Sequence, residues 1–152
     1  MDQIDKQILR LLQKDTTLST AAIAEQVGLS PTPCWRRVQN MEKSGIIRSR
    51  VALLDRAKLN LSIDVFVTIQ TNQHNSEWLD HFAKIIQTLD EVVECYRMSG
   101  DADYLLRVVA RDIHAYDKFY KRLIEHTEIT NVSSSFAMER MKYTTELPLT
   151  ES

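Results

Sequence analysis

The string Ala24-Glu-Gln-Val27-Gly28-Leu29-Ser30-Pro31 constrains the fold of this chain more than any other stretch of it. A glycine after a run of helix formers supplies a left-handed position just past a helix end. The Ser-Pro that follows supplies an N-cap and a first helical residue whose missing N–H is not needed. One helix must end and the next begin within three residues, which makes a helical corner. Ala24 is small enough to let the two helices approach, and Leu29 plugs the corner. This is the pattern of a helix-turn-helix.

The flanking sequence completes a three-helix unit. Asp2 caps a first helix in which Ile4, Ile8, Leu11 and Leu12 recur at helical spacing as far as about Lys14. Ser19 or Thr20 caps the second, with Ala21, Ile23, Ala24 and Val27 apolar. The third tolerates Pro33 in its first turn, runs through Cys34, Val38 and Met41, and stops at Gly45. At about 100° per residue those three apolar residues form one narrow stripe toward the core. Trp35, at the edge of the stripe, reads as packing. The opposite side carries Thr32, Arg36, Gln39 and Lys43, with Arg37 and Asn40 flanking and Ser30 at the helix start. These are donors suited to phosphates and base edges, and Glu42 is the sole acid among residues 30–44. Ser30, Thr32, Arg36, Arg37, Gln39, Asn40 and Lys43 are therefore the candidate DNA-contacting residues. Ile46 to Asp55 reads as a strand, whose Arg48 and Arg50 either touch DNA backbone as a wing does or face solvent.

The back half alternates between the two periodicities. Ile63, Val65, Val67 and Ile69 line one face of a strand. Asn75-Ser76 opens a helix with Leu79, Phe82, Ala83, Ile86 and Leu89 in one stripe. A strand from Val92 to Ser99, the turn Gly100-Asp101-Ala102-Asp103 and a strand from Tyr104 to Ala110 follow. Asp112 caps a helix carrying Ile113, Tyr116, Tyr120 and Leu123, and a last strand runs from Val132 to about Met138 before a polar tail. The order is that of the ferredoxin-like βαββαβ unit (ACT-like), with both helices on one sheet face. Phe66, Leu105, Val109 and Phe136 would lie on the bare face, an apolar surface that a second copy of the chain would cover. The expected architecture is α+β: a winged-type helix-turn-helix over residues 1–54, a linker at 55–62, and a ferredoxin-like oligomerisation domain at 63–152.

Charge divides along the same boundary. Residues 1–60 hold ten Lys and Arg against six Asp and Glu, and residues 61–152 hold nine against fifteen. A basic front half and an acidic back half imply that only the front meets a polyanion. Other functions lack their residues. The four histidines show no metal-ligand spacing, and there is neither a glycine-rich phosphate loop nor a nucleophile elbow. Asp101 and Asp103 do not make an EF-hand, since Leu106 stands where that loop needs glycine. Cys34 and Cys95 are too few and too far apart for a disulfide framework or zinc site. No enzyme activity and no cofactor are expected. No apolar run approaches the roughly 20 residues that span a bilayer, and the acidic N-terminus is unlike a signal peptide. The expected location is the cytoplasm.

These residues resemble the Lrp/AsnC (leucine-responsive, feast/famine) family of transcription regulators over nearly the whole chain. In front the likeness rests on Asp5-x-x-Ile8-Leu9, on Ala24-x-x-Val27-Gly28-Leu29-Ser30, and on Arg37-Val38-x-x-Met41-x-x-x-Gly45-Ile46-Ile47 with Leu53. At the back it rests on Ser99-Gly100-Asp101-x-Asp103-Tyr104-Leu105-Leu106. The resemblance implies a homodimer that assembles to tetramers, octamers or larger rings on double-stranded DNA, with a C-terminal domain that binds an amino-acid effector. Carried onto this chain, the effector residues are Met98, Ser99, Gly100, Asp101 and Asp103. Thr32-Pro33-Cys34-Trp35, Phe136-Ala137-Met138-Glu139 and Tyr143-Thr144-Thr145 look like a branch that includes cysteine-responsive regulators. Ala102 is smaller than the aromatic often found at its position, so leucine and asparagine are not carried over, and a sulfur-containing amino acid is preferred. The alternative is an amino-acid-binding or assembly module without DNA function.

Overall fold

The computed structural model describes residues 1–149. The chain divides into two units, Met1–Leu53 with the segment from Lys142 onward, and Leu54–Met141.

In the first unit α1 spans Gln3–Lys14, α2 Thr20–Val27 and α3 Pro31–Lys43. Asp2 accepts the Asp5 N–H while the Asp5 carboxylate accepts the Asp2 N–H, a reciprocal cap that fixes the start of α1. Ser19 caps α2 through the Ala22 N–H. Gly28 ends α2 at φ +71°, and Leu29 N–H reaches back to the Ala24 carbonyl at 2.9 Å, so the corner closes as the sequence requires. Ile8, Leu9, Leu12, Ile23, Ala24, Cys34, Val38 and Met41 are buried together as its core.

Two expectations for this unit change. Ile46–Asp55 forms no strand, because the segment meets no other strand among the described residues. After Ile47 N–H bonds to the Met41 carbonyl, no backbone hydrogen bond holds residues 48–54 among the described residues. The C-terminal segment, expected as a polar tail of the second domain, packs against α1 instead. Leu149 joins the edge of the helical core, and the Arg10 guanidinium donates to its carbonyl at 2.6 Å. The Gln13 amide accepts the Leu147 N–H at 2.6 Å and donates to its carbonyl at 3.2 Å, reading that backbone as a neighbouring strand would. The remainder of that segment, residues 150–152, lies outside the described residues.

In the second unit the linker turns at residues 56–60, with Asn60 at φ 56°, before the sheet begins. Its elements run β1 Ile63–Gln70, α4 Ser76–Thr88, β2 Val92–Arg97, β3 Tyr104–Ala110, α5 Ile113–His126 and β4 Asn131–Phe136. All neighbours are antiparallel, in the order β2-β3-β1-β4. That is the expected ferredoxin-like arrangement. Val65, Val67 and Ile69 of β1 and Leu106 and Val108 of β3 are fully buried under α4 and α5. The helices bury slightly different stripes from those the spacing indicates. Trp78, rather than Ala83, is buried on α4 and stacks on Phe82 with ring centroids 4.9 Å apart. On α5 Phe119 is buried and Ile113 exposed. In both cases the larger aromatic at the stripe edge fills the space over the twisted sheet. Phe66 stands on the opposite face, 40% exposed. Phe136, expected there too, lies on the helix side instead, because the β4 register sets it opposite Val65, and its ring meets that of Tyr116 on α5 edge-on at 5.2 Å.

Candidate nucleic-acid interface and effector cleft

The start of α3 is unusual in what it withholds. Ser30 occupies the N-cap with extended backbone, but its hydroxyl makes no capping bond. Pro31 and Pro33 have no N–H, so the helix end offers little backbone for phosphate and side chains must supply the donors. Thr32, Arg36, Asn40 and Lys43 are exposed along one side, and Gln39 is half-buried. Arg48 and Arg50 are exposed in the segment after the helix.

Arg37 stands apart from that face. Its guanidinium lies 2.7 Å from the Asp2 carboxylate and 2.8 Å from that of Asp5, so it ties α3 to the cap of α1. These carboxylates, Asp5 first, hold the Arg37 guanidinium above its usual range. The Asp5 N–H and then Arg37 hold Asp2 below the usual carboxylate range. The pairs span 32 and 35 residues, which helical spacing alone does not reveal.

Trp35, expected to pack, is 54% exposed. The core stripe closes around Cys34, and the next residue points about 100° away from it, between core and donor face. Spacing indicated that angle, but the small cross-section of the three-helix core leaves nothing to cover the ring.

The second site gathers at one end of the sheet. Gly100 takes φ +115°, a conformation that favours glycine, at the tip of the β2–β3 hairpin. Met98 N–H bonds the Asp103 carbonyl at 2.8 Å, and Asp103 N–H bonds the Ile69 carbonyl at 2.9 Å. One Asp103 oxygen accepts the Thr71 N–H at 2.8 Å, and the Asp101 carbonyl accepts from the Gln70 amide at 2.7 Å. Met98 and Asp103 line a cleft of about 280 Å³ with Gln73, His74, Asn75, Ser76, Leu79, Arg97 and Tyr104. Ser99, Gly100 and Asp101 are exposed at the tip, outside that lining. Arg97 and the α4 start are the residues that motif reasoning passed over. Arg97 closes a strand and carries no motif, although it is the cation nearest the Gly-Asp turn in sequence. Burial raises the Tyr104 phenol above its usual range, against a smaller opposing effect of Arg97, and Asp103 adds to the rise. Arg97 and Asp103 both line the cleft beside it.

Among the described residues no group of three His, Cys, Asp or Glu side chains is placed to hold a metal ion. No helix among them is long and apolar enough to cross a membrane.

Comparison with known proteins adds to this geometry. The family profile for winged helix-turn-helix DNA-binding domains matches residues 1–48, and that for the Lrp/AsnC ligand-binding domain matches residues 64–147. The DNA-binding transcriptional activator DecR of Escherichia coli K12 is 47% identical over 150 residues, covering 98% of this chain and 99% of DecR. The crystal structure of an AsnC family transcriptional regulator from Agrobacterium tumefaciens is 61% identical. It superposes with a TM-score of 0.96 over 98% of this chain and 97% of that one. The regulator NMB0573 of Neisseria meningitidis, solved in complex with L-Met, is 33% identical, with a TM-score of 0.93 over 98% and 97% of the two chains.

Proposed function

This chain belongs to the Lrp/AsnC family of DNA-binding transcription regulators, and from that membership we propose a specific division of labour among its residues. The α3 face of Thr32, Arg36, Asn40 and Lys43 enters the major groove, with Ser30 at the helix start and Gln39 at its edge. Trp35 lies against sugar or a thymine methyl beside them, and Arg37 acts through α1 instead of touching DNA. An amino acid binds in the cleft between Arg97 and Asp103 and modulates DNA binding or assembly. The L-Met held by the Neisseria relative supports a sulfur-containing amino acid. The protein is a regulator and not an enzyme, and it works in the cytoplasm on nucleoid DNA.

The observation that carries the DNA reading is the line of exposed donors on α3, in a helix whose other polar cation is already tied inward. The test is selection of bound duplexes from a random pool, with and without each of the twenty amino acids. On a selected duplex, Arg36→Ala should weaken binding by about 1–2 kcal/mol and relax sequence preference at one position. Lys43→Ala should weaken all sequences alike and flatten the salt dependence by about one unit. Trp35 emission should change on binding, whereas Trp78, buried in the other unit, should not respond. Undiminished binding by both variants would remove α3 from the interface.

The bare sheet face supports a two-fold homodimer, sheet against sheet, from which larger assemblies grow. Sedimentation of the full chain at micromolar concentration should show a dimer or larger, and Phe66→Glu should move it toward monomer. An unchanged distribution for that variant would place the interface elsewhere.

A further inference from the structure

Glu42 is the only acidic side chain between Glu25 and Asp55, and it stands where the donor face meets the arginine-bearing segment. Both of its oxygens are engaged by that surface. Oε1 accepts from Arg50 Nη2 at 2.8 Å, and Oε2 accepts from Gln39 Nε2 at 3.1 Å. The pair is partly exposed, with the side chains of Arg50 and Glu42 42% and 34% accessible. We propose that Glu42 is an internal competitor for DNA phosphate, occupying Arg50 and Gln39 in the free protein and giving them up to the duplex. The proposal rests on the reading of α3 as the DNA-contacting helix.

A carboxylate presents two oxygens much as a phosphate does, so it satisfies the same donors that a backbone phosphate would. The opposing role would be positioning, in which Glu42 pins Arg50 in place for DNA. Magnitudes separate the two. An exposed ion pair is worth at most about 1 kcal/mol, so the positioning gain cannot exceed about fivefold. One additional neutralised phosphate changes affinity as salt to the power of about −0.9, which is about eightfold at about 0.1 M. Releasing Arg50 therefore outweighs holding it. An amide at position 42 keeps the shape and can still accept a hydrogen bond, while it no longer holds the guanidinium by charge.

The experiment is a salt titration of duplex binding by fluorescence anisotropy, using the full chain and a duplex selected by the wild-type protein. Glu42→Gln, Arg50→Ala, the double variant, Arg36→Ala and Lys43→Ala are compared, each with a thermal melt matching wild type. Glu42→Gln should bind about three- to fivefold tighter at about 0.1 M salt, because it has no ion pair of up to about 1 kcal/mol to break before Arg50 reaches phosphate. In the Arg50→Ala background the same change should gain about twofold or less, since there is no arginine left to release. Equal or weaker binding by Glu42→Gln, or the same gain in both backgrounds, overturns the proposal. If Arg36→Ala and Lys43→Ala weaken binding in that experiment, the α3 reading survives such a failure. If neither does, the α3 reading falls and this proposal falls with it.

Discussion

Replacing Asp64 with alanine should destabilise the second unit by about 3 kcal/mol, read as a lower urea midpoint at neutral pH. Its side chain is 10% exposed at the corner of the bare sheet face, where three arginines converge on it. Arg56 from the linker lies 2.5 Å away, Arg140 from beyond β4 3.2 Å, and Arg107 from β3 3.3 Å. Removing the carboxylate leaves three guanidinium groups facing one another, with Glu94 at 2.7 Å from Arg107 as the other nearby acid. Breaking a buried pair costs about 3–5 kcal/mol, and the partial exposure of the arginines places this case at the low end. The pH dependence has a definite sign. Burial alone would push the Asp64 carboxyl up, but the Arg56 hydrogen bond and charge, then Arg140, outweigh it and hold the group below the usual carboxylate range. A depressed folded-state value means the stabilisation is complete above the unfolded carboxyl value of about 3.9. It is lost as pH falls through the folded value. The midpoint gap between wild type and Asp64→Ala should hold steady from neutral pH to about pH 5 and shrink below about pH 4. Coincident midpoints at neutral pH would show that the cluster contributes no net stability.

The same cluster shows where sequence reading reaches its limit. Each helix of the first unit was legible because its signals are local: Asp2, Ser19 and Gly28 act on residues within one turn, and the stripe of Cys34, Val38 and Met41 repeats at helical spacing. The alternation of β1 and β3 was equally plain, since one face of each is wholly apolar. What escaped depends on distant partners. Asp64 looks like an outward-facing strand residue until Arg56, Arg107 and Arg140 are brought to it. Arg37 looks like part of a donor face until Asp2 and Asp5 claim it. Leu147 and Leu149 sit in a polar stretch, and nothing local says that Gln13 and Arg10 will bind their backbone. Residues 46–55 read as a strand, but a strand exists only with a partner, and none pairs with them among the described residues. The Gly100–Asp103 motif pointed to the end of the sheet where Met98 and Asp103 line a cleft. Arg97 and the α4 start became visible only when the hairpin and helix met.

Arg97→Ala should weaken amino-acid binding by about ten- to 150-fold, the largest effect expected of any single change in the cleft. A free amino acid brings a carboxylate and an ammonium, and both must be paired when they leave water. Arg97 and Asp103 line the same cleft and carry the two opposite charges this requires. One Asp103 oxygen accepts the Thr71 N–H, and on the reading proposed above the other would accept from the ammonium. Met98 and Leu79 offer apolar contact to the side chain of the ligand, which suits a thioether or thiol better than a charged group. Losing one charge-assisted contact in such a site costs about 1.5–3 kcal/mol, which sets the range of the expected loss. Gly100→Val should act differently: a Cβ there meets nothing within 4 Å, so the change works through the φ of +115°, reshaping the hairpin rather than filling the cleft. Calorimetry of the full chain with each of the twenty amino acids measures both variants. Binding and DNA affinity are linked by one coupling free energy, so whatever shift the ligand imposes on DNA binding, DNA must impose on ligand binding. Arg97→Ala should lose that shift while its affinity for DNA without ligand stays at the wild-type value. An amino acid that binds wild type and Arg97→Ala equally well, and still shifts DNA affinity in both, would place the effector outside this cleft.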